Sequence, residues 1–177
     1  MNLACRDTTT DLTDEEALSI LEPCFQEVQR DYLKAGLDRC ETTRLMIDAS
    51  MHDTSRHFAA CRDDGQIIYL APEAAELPLD TVLAIVAHEL GHACDFLYPG
   101  QFALRGDGQP AAYRDPASMK PKHWHRWLKD WERRDADAVE LTADAIAHLA
   151  MGIQYGYRGP CLIQDLRARR SRPIGLR

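Results

Sequence analysis

Residues 81–97 read TVLAIVAHELGHACDFL, and the way this stretch folds decides the rest. Leu83, Val86, Leu90, Ala93 and Leu97 recur at helical spacing, so one side of a helix is apolar. His88 and His92 fall on the opposite side. At i and i+4 they lie about 40° apart around the axis, close enough for both imidazoles to reach one metal ion. Zn²⁺ sits at ~2.0–2.1 Å from such ring nitrogens. Glu89 is turned about 100° from His88. It can hang beside the metal and act on water as a base without being a ligand. This is the HExxH spacing, in which two residues bind and one does acid–base work. Gly91, next to the ligands, leaves room for a substrate or a neighbouring helix. Asp80 is expected to cap the helix, and Pro99 and Gly100 to stop it.

Zinc needs a third protein ligand if a fourth position is to stay open. Tyr98 stands six residues past His92, and Asp95 takes the place of the glycine in an HExxHxxGxxH pattern, so no third histidine follows there. A later helix is expected from Arg134 to Met151, stopped by Gly152. In it Glu140-Leu-Thr-Ala-Asp144 puts two carboxylates on one face at i and i+4. Glu140 can coordinate while Asp144 accepts the N–H of a ligand imidazole, which fixes the tautomer. Ala136, Ala143 and Ala147 flank that face, so this helix can lie close to the first. Asp137 or a histidine is the alternative third ligand.

HELGH followed by ELTAD resembles the gluzincin metallopeptidases, which use HExxH and a downstream Glu, commonly in an ExxxD context. The segment IIYLAP before the metal helix is similar to the one preceding it in small single-domain members. The likeness covers residues 66–97 and 136–150. It implies a zinc-dependent peptidase with His88, His92 and Glu140 as ligands, Asp144 behind them and Glu89 as general base. Large thermolysin-type enzymes add a C-terminal domain that supplies part of the cleft and a catalytic histidine. Here the donor to the tetrahedral oxyanion is sought in Tyr155 and Tyr157, just past the Glu140 helix, and then in His148, about 40° from Asp144 on that helix.

The remainder of the 177 residues builds around this pair of helices. Thr13 and Glu16 form a capping box, and a helix should follow through Leu18, Leu21, Phe25, Val28 and Leu33 to near Gly36. Pro23 must kink it or start a second helix. Strand candidates are 44–49, 57–62 and 66–71, the last two joined by the turn Asp63-Asp64-Gly65. Their spacing predicts an antiparallel meander, with 66–71 as the edge that pairs with an extended substrate. The 99–121 stretch, rich in Gly, Pro and Ala, reads as a long loop of functional kind. Trp124, Trp127 and Trp131 then make a helical apolar stripe, read as core or as a lid over the cleft. The fold class is α+β and zincin-like: N-terminal helices, a small twisted sheet, the metal helix and a C-terminal helix carrying the third ligand. One domain should span 1–177, with 1–12 and 164–177 as flexible ends.

Composition narrows the partners. Twenty-one Lys and Arg face 28 Asp and Glu, for a net charge of −7. That balance argues against nucleic acid as the main partner, since a duplex-binding surface needs a basic surplus. Five arginines after residue 164 make a basic end, which reads as solvated. No apolar run approaches the ~20 residues of a membrane span, and MNLACRDTTTDLTDEE does not read as a secretory leader. The six cysteines contain no CxxC pair and are expected as free thiols in a reducing, cytoplasmic setting. The expected function is a zinc metalloendopeptidase acting on a peptide or protein substrate, with control by a regulatory protein partner. The alternatives are a zinc-bound, non-catalytic binding module of the same fold, and a hydrolase of another amide such as a peptidoglycan bond.

Overall fold

The computed structural model describes residues 12–51, 58–102, 120–153 and 162–171. Helix α1 (Asp14–Lys34) starts on the capping box: Thr13 Oγ1 accepts from the Glu16 amide, and Glu16 accepts from the Thr13 amide. It runs through Pro23 without a break, so the expected second N-terminal helix does not form. The reason is a matter of size. A helix-interior proline costs about 3 kcal/mol. Leu21, Phe25, Val28 and Tyr32 are all buried on one face, and each large apolar side chain contributes about 1.5–3 kcal/mol. Tyr32 rather than Leu33 completes that face.

A short 3₁₀ turn (Asp38–Thr42) leads into strand β1 (Arg44–Ile47). Strands β2 (Ala59–Arg62) and β3 (Ile67–Leu70) follow. The strand positions match the sequence reading, but the topology corrects it. β2 and β3 form the expected antiparallel hairpin, whereas β1 runs parallel to β3, giving the order β1-β3-β2 in place of an antiparallel meander. The most apolar strand takes the centre: β3 turns Ile68 and Leu70 fully inward and is paired along both edges. Among the described residues β1 and β2 are therefore the edges, and β3 has none to offer a substrate.

Helix α2 (Leu79–Leu97) carries HELGH and is the hub of the core. It begins after Pro78, two residues earlier than expected, so Asp80 lies inside the first turn instead of capping it. There its carboxylate accepts from Arg167 Nε at 2.5 Å. α1 packs across α2, and the buried Tyr32 hydroxyl donates to the Ala87 carbonyl, one residue before His88. Gly65, at φ +85°, turns the β2–β3 connection onto α2; a Cβ there would stand 2.7 Å from the Ala93 carbonyl oxygen. At the other end, Arg39 Nη1 donates to the Leu97 carbonyl at 2.7 Å, a cation placed on the negative end of the helix.

Helix α3 (Pro121–Glu132) bears the tryptophans, helix α4 (Ala136–Ala150) bears ELTAD, and helix α5 is Leu162–Ser171. The three tryptophans are half-buried and do not line the cleft, which leaves the stripe as packing against the body's surface. Residues 164–171, expected within a flexible end, are helical. No helix among the described residues is long and apolar enough to cross a membrane.

α2 and α4 meet at Gly91, where a Cβ would fall 2.2 Å from the Ala143 carbonyl oxygen and 2.8 Å from its carbon. Backbone, not a flexible side chain, would have to yield. Gly91→Ala adds about 1 kcal/mol of helix propensity, but overpacking costs about 1–3 kcal/mol. A net destabilisation of about 1–2 kcal/mol is expected in urea unfolding; a variant as stable as wild type would show that the helices are free to separate.

Candidate metal centre

His88 and His92 project from the middle of α2, and Glu140 faces them from the first half of α4. Their ligand atoms lie within 4.8 Å of one another. His88 Nε2 is 2.9 Å from Glu140 Oε2 and 3.1 Å from His92 Nε2, and His92 Nε2 is 3.5 Å from Glu140 Oε2. Ligand atoms held tetrahedrally at zinc distances are about 3.3 Å apart. The three side chains are thus spaced to hold a metal ion.

The protonation pattern points the same way. Asp144 Oδ1 accepts from His88 Nδ1 at 2.8 Å, which leaves the Nε2 of a neutral imidazole as an acceptor. That lone pair then faces a carboxylate oxygen and a second imidazole nitrogen. With both imidazoles neutral and bare at Nε2, three acceptors would converge on one point, an arrangement a cation satisfies. Two nitrogens and one carboxylate suit zinc and its transition-metal neighbours better than calcium or magnesium, which take oxygen.

Electrostatics separates the roles. Glu89 is 8% exposed, and burial pushes its carboxyl up to about 7, with His88 and the Cys61 amide pulling it down and Glu140 pushing it up. Burial works against a proton on His88, but the Asp144 hydrogen bond and the carboxylates of Asp144, Glu89 and Glu140 outweigh it and raise the pKa. His92 moves the other way, lowered by burial and by His88.

The centre opens into a cleft of about 800 Å³. Along α2 its floor runs from Ala84 and Ile85 past His88, Glu89 and His92 to Phe96. β2, from Ala59 to Cys61, forms one wall, with Phe58 beside it; Leu162 and Ile163 of α5 close an end. The edge strand beside the centre is β2, where 66–71 was expected, because β3 is spent in the middle of the sheet. Sequence periodicity could not show that, nor that α5 would reach the cleft.

The remaining candidates divide. Tyr155 and Tyr157 lie outside the described residues, as does the 103–119 part of the long loop. His148 is 1% exposed and does not line the cleft; its Nδ1 donates to the Asp144 carbonyl at 2.8 Å. Cys94 is buried and takes no part in the metal grouping. Asp137 is also outside that grouping. His125, on α3, binds the Pro121 carbonyl.

No family model, no curated protein and no solved structure matches the chain.

If Glu140 completes the ligand set, Glu140→Ala should remove most zinc affinity, read by chelator competition. Asp144→Asn keeps the ligands but weakens the hold on His88, and a loss of about 10–100-fold is expected. Equal zinc binding by wild type and Glu140→Ala would remove Glu140 from the centre.

Proposed function

We propose that the chain is a zinc-dependent metalloendopeptidase of gluzincin type with a zincin-like fold. One observation carries this reading. Glu89 is held, buried, beside three converging ligand atoms, in a cleft with an edge strand for its wall. A purely structural zinc site has no use for a carboxylate in that position. The resemblance of HELGH and ELTAD to gluzincins supports the same assignment.

Zinc, when bound, supplies Lewis-acid chemistry, polarising a carbonyl and acidifying water. The protein's own groups do the rest. His88, His92 and Glu140 hold the ion. Asp144 keeps the proton on His88 Nδ1, so that Nε2 stays a donor of electrons. Glu89 takes a proton from the attacking water at its carboxylate and returns it to the leaving amine nitrogen. Burial raises this carboxyl to about 7 in the metal-free protein, and a dication bound beside it would favour the carboxylate form that accepts the proton. The outer edge of β2, whose Cys61 amide bonds Glu89, offers its other main-chain groups to an extended peptide chain. Tyr155 and Tyr157 are the proposed donors to the oxyanion. His148, buried and outside the cleft lining, is not a donor to the oxyanion. Cys24, Cys40, Cys61 and Cys94 are free thiols, which suits a reducing, cytoplasmic setting.

Glu89→Gln is the deciding variant. It should bind zinc like wild type and lose peptide cleavage by about 10²–10⁴-fold, scored by mass spectrometry on a mixed peptide library. Zinc in both proteins with no cleavage by either would favour the non-catalytic binding module. Cleavage only of peptidoglycan-type amides would keep the mechanism and change the substrate.

A further inference from the structure

A second polar cluster lies behind the metal centre, at the corner where α3 meets α4. Arg134 sits in the three-residue link between them. Its Nε donates to the Trp131 carbonyl at 3.1 Å and its Nη1 to Thr142 Oγ1 at 3.0 Å. Its Nη2 donates to Asp95 Oδ2. The other Asp95 oxygen accepts from Trp131 Nε1 at 2.9 Å. The Arg134 guanidinium also stands 5.2 Å from the Trp131 ring centroid. Thr142 in turn donates to the Ala138 carbonyl at 2.6 Å. Asp95, 3% exposed, and Thr142, 1% exposed, are both buried.

The position of these partners gives the cluster its meaning. Asp95 is one helical turn past His92 on α2. Thr142 is two residues past Glu140 on α4. The planar, forked guanidinium therefore spans the two helices that carry the ligands, next to the ligands themselves. The Gly91–Ala143 contact limits how closely the helices approach but does nothing to stop them from parting or sliding. A charged, directional tie does both. A charge pair buried this deeply is a poor source of stability, since apolar residues of similar volume often replace it without loss. Its strength lies in geometry.

We infer that Arg134 is a positioning residue, which clamps α2 to α4 through Asp95 and Thr142 and so sets the distance between His92 and Glu140 at the metal centre. The inference rests on the metal-binding reading of that centre. Ligand sets tolerate displacements of only about 0.5 Å before geometry is lost, and His92 to Glu140 is already the widest of the three separations.

The test replaces the clamp by apolar groups of similar size, in the variant Asp95→Leu/Arg134→Met/Thr142→Val. A second variant, Thr142→Val alone, removes one arm and keeps the charge pair, so that a folded protein is available in either event. Both are compared with wild type by thermal unfolding of the metal-free protein, by zinc affinity in chelator competition, and by the visible d–d spectrum of the Co²⁺-loaded form. The expected result is metal-free protein that is folded, with zinc affinity about tenfold weaker in the triple variant and about threefold weaker in Thr142→Val. The cobalt bands should shift or lose intensity in the same order. Folded variants with wild-type affinity and an unchanged cobalt spectrum would overturn the inference and leave the metal centre standing. Wild-type protein that takes up neither ion would overturn both. A role in stability alone would lower the unfolding temperature and leave the cobalt spectrum untouched.

Discussion

The rest of the structure depends on the backbone-to-backbone contact between α2 and α4 at Gly91 and Ala143. Side chains from two helices can share one ion only if the helix axes come unusually close. Glu140 is the shorter partner in this respect, with a carboxylate that must reach His88 Nε2 at 2.9 Å. Any Cβ at position 91 would meet the Ala143 carbonyl and hold α4 away. One missing methyl group thereby permits the close approach at which Asp144 reaches His88 and Glu140 reaches both histidines. The small residues that follow on α4, Ala143 and Ala147, keep the same seam narrow and fully buried.

Two glutamates at this seam receive opposite environments. Glu89 is buried against β2, where desolvation raises its carboxyl towards neutrality. The Glu140 side chain is 61% exposed, so solvent keeps the cost of its charge low. In the proposed chemistry Glu140 is an anionic ligand and Glu89 a base that changes protonation, and the burial of each suits its role. His88 and His92 are split in the same manner. Asp144 supports the first, while burial and the neighbouring ring weaken the second as a base.

Much of this was legible in the sequence because it is local. The capping box at Thr13, the HExxH face of α2 and the i, i+4 carboxylates of α4 each depend on a few residues within one element, and helical geometry alone predicts them. The turn at Asp63–Gly65 and the three strand positions were legible for the same reason. The misreadings share a different property. The cap expected at Asp80 gives way to Arg167, a partner 87 residues away. The kink or second helix expected at Pro23 gives way to the burial of Phe25 and Tyr32, a tertiary gain. The meander was expected because sequence neighbours pair more often than not, but β3 is the strand with the apolar side chains to occupy the centre. The Asp95–Arg134–Thr142 tie was missed altogether. Asp95 had been noted only as the residue standing where a glycine would be in another pattern.

The sheet error has a functional consequence that outweighs its size. A central β3 makes β2 an edge strand, and β2 is also the strand whose Cys61 amide faces Glu89. The outer edge of β2 and the proposed base thus lie on the same side of the cleft. A peptide laid along β2 would pass the base and the ligand face in one extended run. The order β1-β3-β2 therefore matters to the proposed chemistry, because it puts the outer edge of β2, and not that of β3, beside the proposed base and the three candidate ligand atoms.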